Sequence, residues 1–381
     1  MKDKVLLVDD DAMVLAGLKR QLRSQFRIDT ALSGEEALQQ VEENGPYSVI
    51  VSDFMMPGMN GIEFLAYVKK TSPDTVRMML TGTADMPTAI RAVNEGSIFQ
   101  FHPKPCPADT LSQAIQSAIQ KYHKAVSHQQ QLHNFKSSLE KASEVQHELL
   151  PKSDPDFNGF DIAGRSVWCD ETGGDYYDFL YPPTNGKEKI SIVVGDVTDH
   201  GIPSALLMTT ARAFLRERIQ TTPSACAAII SDVNKRLVQD VEKLNLFMTM
   251  FYCEIDARKK IIRWVKAGHE PAILWTPTAA DSPEFLSGKG LPLGVMEDAV
   301  FKEYQKQIAS GQIILIGSDG IKEAVNESGE MFGTQRLLQV IKDTADQPAI
   351  EILDSVFETL DRFCSPLKND DDATMVVIKV Q

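Results

Sequence analysis

The sequence has few positive charges and no long apolar run, and each shortage excludes a class of protein. Its 381 residues include 39 lysines and arginines against 53 aspartates and glutamates, which gives a formal net charge of -14. Such a chain repels nucleic-acid backbones and anionic lipid surfaces. No apolar run approaches the roughly 20 residues that a membrane-spanning helix requires. We therefore expect neither a nucleic acid nor a membrane as partner.

Cysteine is also scarce, because the chain has five cysteines and none of them forms a C-x-x-C pair. This scatter predicts neither a disulfide framework nor a zinc cage, and it suits the reduced cytoplasm. The first ten residues contain three aspartates, where a signal peptide needs an apolar core. A hydrophobic content of 43% is enough to fill more than one core. We expect a cytoplasmic protein of two or three domains.

Residues 1–121 show short apolar runs that alternate with amphipathic stretches, which is the pattern of βαβ units. The pattern predicts an α/β domain with a doubly wound, parallel, five-stranded sheet. Its clearest predicted strands cover residues 5–8, 48–53, 76–80 and 99–102, and its helices include segments near Ile62–Lys70 and Thr88–Asn94.

Acidic and polar residues follow several of these strands. Asp9 and Asp10 follow the first strand, Asp53 ends another, and Thr81 and Lys104 follow two more. Parallel sheets place their reactive groups at the carboxyl ends of the strands, so these side chains should converge. Grouped carboxylates favour Mg²⁺, and a remaining aspartate could act as a nucleophile towards a phosphoryl donor. Thr81 and Lys104 would then contact the transferred group.

The motifs LLVDDD, SDFMMPGMNGIEFL, MLTG and FHPKP resemble the receiver domain of bacterial response regulators. The resemblance implies Asp53 as the phospho-acceptor and Asp9, Asp10 and Asp53 as the Mg²⁺ site. It also implies a receiver switch formed by Thr81, Phe101 and Lys104. The alternative is that these acids are turn residues of an unrelated flavodoxin-like fold.

Residues 108–150 read as one long helical linker that overlaps the last receiver helix and ends before Pro151. We expect a weak coiled coil that helps to hold a homodimer, and the alternative is a solvated helix lying on its own domain. The apolar seam comprises Ile115, Ala118, Tyr122, Ala125, Leu132 and Leu139, and Gln129 and Lys136 interrupt it.

Residues 151–381 contain longer β-like runs with two strongly helical stretches between them, which predicts an α+β sandwich. Acids stand beside glycines or in acid-rich turns at the ends of these runs. Four such clusters without cysteine or histidine spacing favour two Mn²⁺ or Mg²⁺ ions and hydrolysis of a phosphoester. Each cluster alone could be an ordinary turn. Their acids are Asp175, Asp178, Asp196, Asp199, Asp319, Asp370, Asp371 and Asp372.

The motifs GGDYYDF, GDVTDHGIPSALLM, AGHEPAILW, GLPLGV, SDGIKEA and DDATMVVI resemble the SpoIIE/RsbU-type branch of the metal-dependent type 2C serine/threonine phosphatases. The preceding EVQHELLP is similar to the segment that commonly precedes this domain. The resemblance implies metal ligation by the carboxylates of Asp175, Asp196, Asp319 and Asp371 and by the carbonyl of Val197. Asp178, Asp199 and Asp372 are possible additional ligands.

Together the two resemblances predict a two-component response regulator with phosphatase output, controlled by phosphorylation of Asp53. The expected partners are a histidine kinase or phosphotransfer protein and, as substrate, a phosphorylated anti-sigma-factor antagonist in a partner-switching pathway. The alternative is a non-catalytic adaptor, similar to RssB, that binds a sigma factor or an anti-sigma-factor component. His200 and His269 are expected to pack or to form hydrogen bonds in their turns rather than to act in catalysis.

Overall fold

The computed structural model describes residues 2–82, 98–183, 188–221, 225–241, 243–277 and 283–381. The chain divides into two compact units, Met1–Lys136 and Ser137–Gln381, which are described separately. Among the described residues, no helix combines the length and the apolar character needed to cross a membrane.

The first unit contains a five-stranded parallel sheet in the order β2-β1-β3-β4-β5. The predicted doubly wound sheet is therefore confirmed, and β2 is the strand that the sequence did not single out. The helix expected near Thr88–Asn94 lies outside the described residues. The strands are β1 (Lys4–Val8), β2 (Arg27–Ala31), β3 (Val49–Asp53), β4 (Val76–Thr81) and β5 (Gln100–Pro103), and the first three helices are α1 (Ala12–Leu22), α2 (Gly34–Asn44) and α3 (Gly61–Thr71).

Apolar side chains of β1 alternate between the two faces of this sheet. Val5 and Leu7 join a core that includes α1, whereas Leu6 and Val8 join a core that includes α2 and α3. Both faces are thus covered by helices, as expected for a parallel sheet whose strands are continuously apolar. The carboxyl ends of β1 and β3 remain open for polar side chains.

The predicted long helix is present as α4 (Ala108–Leu149), and it ends before Pro151 as expected. The predicted seam is wrong in its first half. Ile115 and Ala118 are fully buried in the core of the first unit, and Tyr122 packs against the same core. These apolar residues pack against the parallel sheet of the first unit, because the first turns of the linker are also the helix that covers one face of that sheet. Leu132 is exposed and Leu139 is half-buried.

The second unit contains two five-stranded antiparallel sheets, in the orders β13-β10-β9-β8-β7 and β12-β11-β14-β15-β6. The predicted α+β sandwich is confirmed. The strands are β6 (Phe160–Val167), β7 (Tyr176–Leu180), β8 (Lys189–Val197), β9 (Met248–Asp256), β10 (Ile261–Ala267), β11 (Ala272–Trp275), β12 (Glu284–Leu286), β13 (Tyr304–Gln307), β14 (Ile313–Gly317) and β15 (Ala373–Val380).

Alternation along β14 divides the core of the second unit into layers. Ile314 and Ile316 face the core shared by the two sheets and by α5 (Ile202–Thr221) and α6 (Cys226–Val241). Ile313 and Leu315 instead join the core beneath α7 (Gly333–Thr344) and α8 (Ala349–Cys364). Each β14 face is therefore buried, and polar side chains collect at the strand ends. A short 3-10 helix, Asp319–Ile321, follows β14 directly.

Candidate functional sites

The three acids predicted in the first unit meet at the carboxyl ends of β1 and β3. Asp9 and Asp53 are buried, whereas Asp10 is exposed. One carboxylate oxygen from each of the three lies within 4.8 Å of the others, which suits a single hard cation. The structure thus brings together the side chains for which the sequence predicted a Mg²⁺ site.

Lys104 enters this pocket from the segment after β5. Its Nζ lies 2.7 Å from Asp9 Oδ2 and 2.8 Å from Asp53 Oδ2, so one ammonium group bridges two carboxylates. Burial raises the pKa of the Asp53 carboxyl, and the hydrogen bond from Lys104 acts in the opposite direction. One positive group on a flexible stem thus offsets part of the negative charge of the two buried carboxylates.

The other two residues of the predicted switch lie on β4 and β5. Thr81 is fully buried at the end of β4, and its backbone carbonyl accepts a hydrogen bond from the Lys104 N–H at 2.9 Å. Phe101 is half-buried on β5 and packs against the core beside α2 and α3. Thr81 and Lys104 therefore share the edge of the sheet where Asp53 lies.

In the second unit, Asp175 is the most deeply buried of the predicted metal carboxylates. Only 1% of its surface is exposed, Oδ2 accepts a hydrogen bond from Ser318 Oγ at 2.7 Å, and Oδ1 has no hydrogen-bond partner. Burial raises its pKa well above the usual value, and the neighbouring carboxylates of Asp196 and Asp372 raise it further. A buried carboxylate oxygen without a donor is costly unless a cation or a proton occupies it.

Asp196, Asp319 and Asp371 form the rest of this acid cluster. Asp196 stands near the end of β8, Asp319 opens the 3-10 helix after β14, and Asp371 precedes β15. Burial raises the pKa of Asp196 to about 8, and repulsion from Asp319 and then Asp371 adds to the effect. The pKa values of Asp319 and Asp371 are raised by burial as well. Such mutual repulsion is relieved when a divalent cation binds.

Two glycines allow the backbone to approach this cluster. A Cβ at Gly320 would lie 2.1 Å from the carbonyl oxygen of Asp372, so only glycine fits there. A Cβ at Gly174 would lie 3.0 Å from the carbonyl oxygen of Val197, the predicted backbone ligand. The Asp-Gly motifs of the sequence therefore serve close packing around the acids.

Asp372, one of the three possible additional ligands, positions a neighbouring loop. Its Oδ1 accepts from the Cys169 N–H at 2.9 Å, and its Oδ2 accepts from the N–H groups of Gly174 at 2.7 Å and Asp175 at 3.3 Å. Both carboxylate oxygens are thus used by the loop that carries Asp175. These hydrogen bonds fix the backbone of the loop relative to Asp372, and the ligand role of Asp372 stays a prediction.

Asp178 and Asp199, the other two possible additional ligands, have surroundings that differ from those of Asp175. Asp178 is buried in an ion pair, with Oδ2 2.7 Å from Arg216 Nε, Oδ1 2.9 Å from Arg216 Nη2, and a hydrogen bond from the Tyr176 hydroxyl. Asp199 is exposed in a turn, where its φ is 62°. Sequence proximity to glycine and aspartate motifs could not distinguish a carboxylate that faces an ion from one that faces an arginine.

The donor set of the cluster fits hard divalent cations. All four carboxylates supply oxygen, and Asp175 Oδ1 has no donor of its own. Among the residues that the structure describes, no three of these acids have carboxylate oxygens that all lie within 4.8 Å of one another. The four acids are thus not gathered around one point, and two ions would suit such a set better than one.

Two further residues of this site were not predicted as such. Ser318 donates to Asp175, and Gln146 near the end of α4 binds the backbone of Gly173 twice, at 2.6 Å and 3.2 Å. Gln146 lies in the segment EVQHELLP. The similarity of this segment to the one that commonly precedes such domains was the sequence signal that could have pointed to Gln146. As expected, both histidines form hydrogen bonds: His200 Nδ1 lies 2.6 Å from Asp170 Oδ2, and His269 Nδ1 lies 2.8 Å from Thr249 Oγ1.

Comparison with known families agrees with this division of the chain. The response regulator receiver domain matches residues 5–116. The family model Stage II sporulation protein E (SpoIIE) matches residues 186–381, which is just over half of the chain. The chain belongs to the SpoIIE family. It combines an N-terminal receiver domain with a C-terminal SpoIIE-type phosphatase domain, and both resemblances read from the sequence are confirmed.

Curated relatives match between about a third and about two thirds of this SpoIIE-family chain. Phosphoserine phosphatase RsbU of Bacillus subtilis is 29% identical over 246 residues, which are 64% of this chain and 70% of RsbU. Protein IcfG of Synechocystis is 28% identical over 269 residues, covering 63% of this chain and 41% of IcfG. The chain therefore spans less than half the length of IcfG. The hydrogenase regulator HoxA of Cupriavidus necator is 37% identical over 123 residues, 32% of this chain and 25% of HoxA.

Solved structures support the fold of the SpoIIE-type domain. The SiaA-PP2C domain of Pseudomonas aeruginosa has a TM-score of 0.57 at 23% identity and covers 66% of this chain and 98% of that domain. The RsbU and RsbW domains of Rv1364c from Mycobacterium tuberculosis have a TM-score of 0.50 at 25% identity, and the match covers 58% of this chain and 60% of that chain.

Proposed function

We propose that this protein is a response regulator whose output is metal-dependent dephosphorylation of phosphoserine or phosphothreonine on a protein. The observation that carries the proposal is the acid cluster of Asp175, Asp196, Asp319 and Asp371, with its raised pKa values and the unpartnered Asp175 Oδ1. Carboxylates arranged in this way need cations to offset their repulsion. Metal-bound water is the nucleophile that such ions would supply for attack on a phosphoester.

The residues of the chain have distinct parts in this proposal. The four carboxylates and the Val197 carbonyl would hold two Mn²⁺ or Mg²⁺ ions, and Asp196 lies close enough to Asp319 and Asp371 for their charges to raise its pKa beyond the effect of burial. Asp372 and Ser318 orient the backbone and carboxylate of Asp175. Neither Asp178 nor Asp199 is needed as a ligand.

Control is proposed to pass through the receiver pocket. Asp53 attacks the phosphoryl group of a donor and becomes an acyl phosphate, while the donor's leaving group departs. Mg²⁺ held by Asp9, Asp10 and Asp53 would offset the added negative charge, and Lys104 would pair with the new phosphoryl oxygens. The buried Thr81 hydroxyl stands at the same sheet edge to donate to them. The phosphoryl donor would be a histidine kinase or a phosphotransfer protein.

The substrate proposed is a phosphorylated anti-sigma-factor antagonist in a partner-switching pathway. The support is the similarity to RsbU, which is named a phosphoserine phosphatase. We place the reaction in the cytoplasm, because the five cysteines are free thiols. We also propose a homodimer, now limited to the Leu132 and Leu139 part of α4.

A non-catalytic adaptor is the second candidate. It requires only a binding surface and no metal carboxylates. All four acids are present here and are placed on strand ends of one unit, which favours catalysis.

The test measures release of p-nitrophenol from p-nitrophenyl phosphate by the full chain with Mn²⁺. Asp319→Asn should lower turnover by more than about 100-fold, since losing even an outer-shell partner of a metal costs roughly 10–100-fold. Asp298→Asn, an exposed acid of the same unit, is the matched control and should keep full turnover. Absence of turnover in the parent chain, with and without acetyl phosphate, would favour the adaptor.

A further inference from the structure

A second set of metal-binding side chains lies beside the acid cluster. Cys169 Sγ, a carboxylate oxygen of Asp170 and a ring nitrogen of His200 all lie within 4.8 Å of one another. Cys169 and Asp170 come from the loop between β6 and β7, and His200 comes from the turn after β8. The three side chains converge from two separate segments of the second unit.

Neighbouring contacts hold these side chains in place. The Cys169 N–H donates to Asp372 Oδ1 at 2.9 Å, and the adjacent Trp168 stacks on His147 with ring centroids 4.2 Å apart. Backbone and ring contacts of this kind orient the segment that carries Cys169 and Asp170. His200 Nδ1 lies 2.6 Å from Asp170 Oδ2, and zinc would replace this direct contact between two of its ligands.

The chemistry of this set differs from that of the four metal carboxylates. One sulfur, one nitrogen and one oxygen ligand favour zinc, whereas oxygen-only sets favour Mg²⁺ or Mn²⁺. We propose that Cys169, Asp170 and His200 bind a zinc ion. Three protein ligands leave the fourth tetrahedral position open to water.

Charge around the set also favours a cation. The carboxylates of Asp371 and Asp372 are close enough to interact electrostatically with His200. Burial and then the carboxylate of Asp372 raise the pKa of the Cys169 thiol to about 12, so zinc would have to displace its proton on binding. The resulting thiolate and the Asp170 carboxylate would balance the two charges of zinc.

Zinc at this position would connect two segments that carry predicted catalytic ligands. The loop of Cys169 continues to Asp175, and the turn of His200 follows Asp196 and Val197. Zinc binding by these three side chains does not depend on the proposed phosphatase function.

The test uses Co²⁺ as a spectroscopic probe of the full chain. Co²⁺ bound to a thiolate gives a charge-transfer band in the near ultraviolet, which oxygen-only sites cannot give. We expect this band in the parent chain and its displacement by Zn²⁺. Cys169→Ser should abolish the band, and Cys106→Ser, which removes a half-buried thiol of the first unit, should retain it.

Two further variants separate this site from the phosphatase cluster. His200→Ala should weaken Zn²⁺ binding by more than about 100-fold, because losing a direct ligand should cost more than the roughly 10–100-fold that losing an outer-shell partner costs. Competition with a chromophoric chelator measures this affinity. Asp319→Asn should abolish phosphoester turnover yet keep the cobalt band. A parent chain without the band, or a band that persists in folded Cys169→Ser, would overturn the zinc site. The band with no phosphatase activity would refute only the proposed function.

Discussion

Asp196→Asn should stabilise the metal-free protein, and the gain should grow with pH. In the folded chain the pKa of Asp196 is raised to about 8 by burial, then by repulsion from Asp319, Asp371 and Asp372. Below pH 4 both states are protonated and the group has no effect. Between pH 4 and pH 8 the unfolded chain loses this proton while the folded chain keeps it, so stability falls as pH rises.

The size of the effect follows from the shift. One pKa unit corresponds to about 1.4 kcal/mol, so a shift of about four units sets an upper limit of about 5–6 kcal/mol near pH 8. At pH 5 the penalty corresponds to only about one pKa unit, or about 1.4 kcal/mol. The other acids of the cluster can rearrange and so reduce the repulsion. We therefore expect the stability advantage of Asp196→Asn, as free energy of unfolding, to increase by about 2–4 kcal/mol between pH 5 and pH 8.

Urea denaturation with tryptophan fluorescence suits the measurement, because the three tryptophans, Trp168, Trp264 and Trp275, all lie in the second unit. The chelator EDTA keeps the protein free of metal. Asp199→Asn is the matched control, since its exposed side chain should change stability by less than about 0.5 kcal/mol. If Asp196→Asn were more stable than the parent chain by the same amount at pH 5 and at pH 8, the raised pKa assigned to Asp196 would be refuted. Mn²⁺ should stabilise the parent chain more than Asp196→Asn.

Three other perturbations test the remaining proposals. Asp53→Asn should prevent labelling by acetyl phosphate without changing turnover measured in the absence of donor, and label retained in the variant would place the acceptor elsewhere. Arg216→Met should cost about 1–3 kcal/mol in urea denaturation, because the buried Asp178 carboxylate loses both hydrogen bonds from Arg216 and keeps only the Tyr176 hydroxyl and Arg212 at 3.9 Å; a loss below about 0.5 kcal/mol would contradict that pairing. The double variant Leu132→Glu with Leu139→Glu should lower the molar mass measured by light scattering towards that of a monomer. An unchanged dimer mass would exclude this part of α4 as the interface.

Strand-end acids were the most predictable part of this protein. Asp9, Asp53, Asp196 and Asp319 could be found because buried strands are continuous apolar runs, and a charged residue at their end is conspicuous. Periodicity also located α4 to within one residue of its end. The elements that the sequence did not single out, such as β2 with its sequence RIDTA, are short and partly polar.

Tertiary contacts decided what the sequence left open. A seam of Ile115, Ala118 and Tyr122 has the same spacing whether it meets a second copy or its own sheet, and the structure assigns it to the sheet. Likewise Asp178 and Asp175 occur in one motif, yet Arg216, which is 38 residues away, pairs with Asp178. Long-range partners of this kind leave no local pattern in the sequence.

The hydrogen bonds of Asp372 restrict which side chain position 372 can accept. Its two oxygens receive N–H groups from Cys169, Gly174 and Asp175, so both ends of the side chain must accept. An asparagine presents one accepting oxygen and one donating amide nitrogen, which would face an N–H with another N–H. A chain with asparagine at this position either loses the hydrogen bond from the Cys169 N–H or turns that peptide unit so that a carbonyl faces the amide nitrogen. The side chain at position 372 is thus coupled to the backbone of a loop about 200 residues earlier in the sequence.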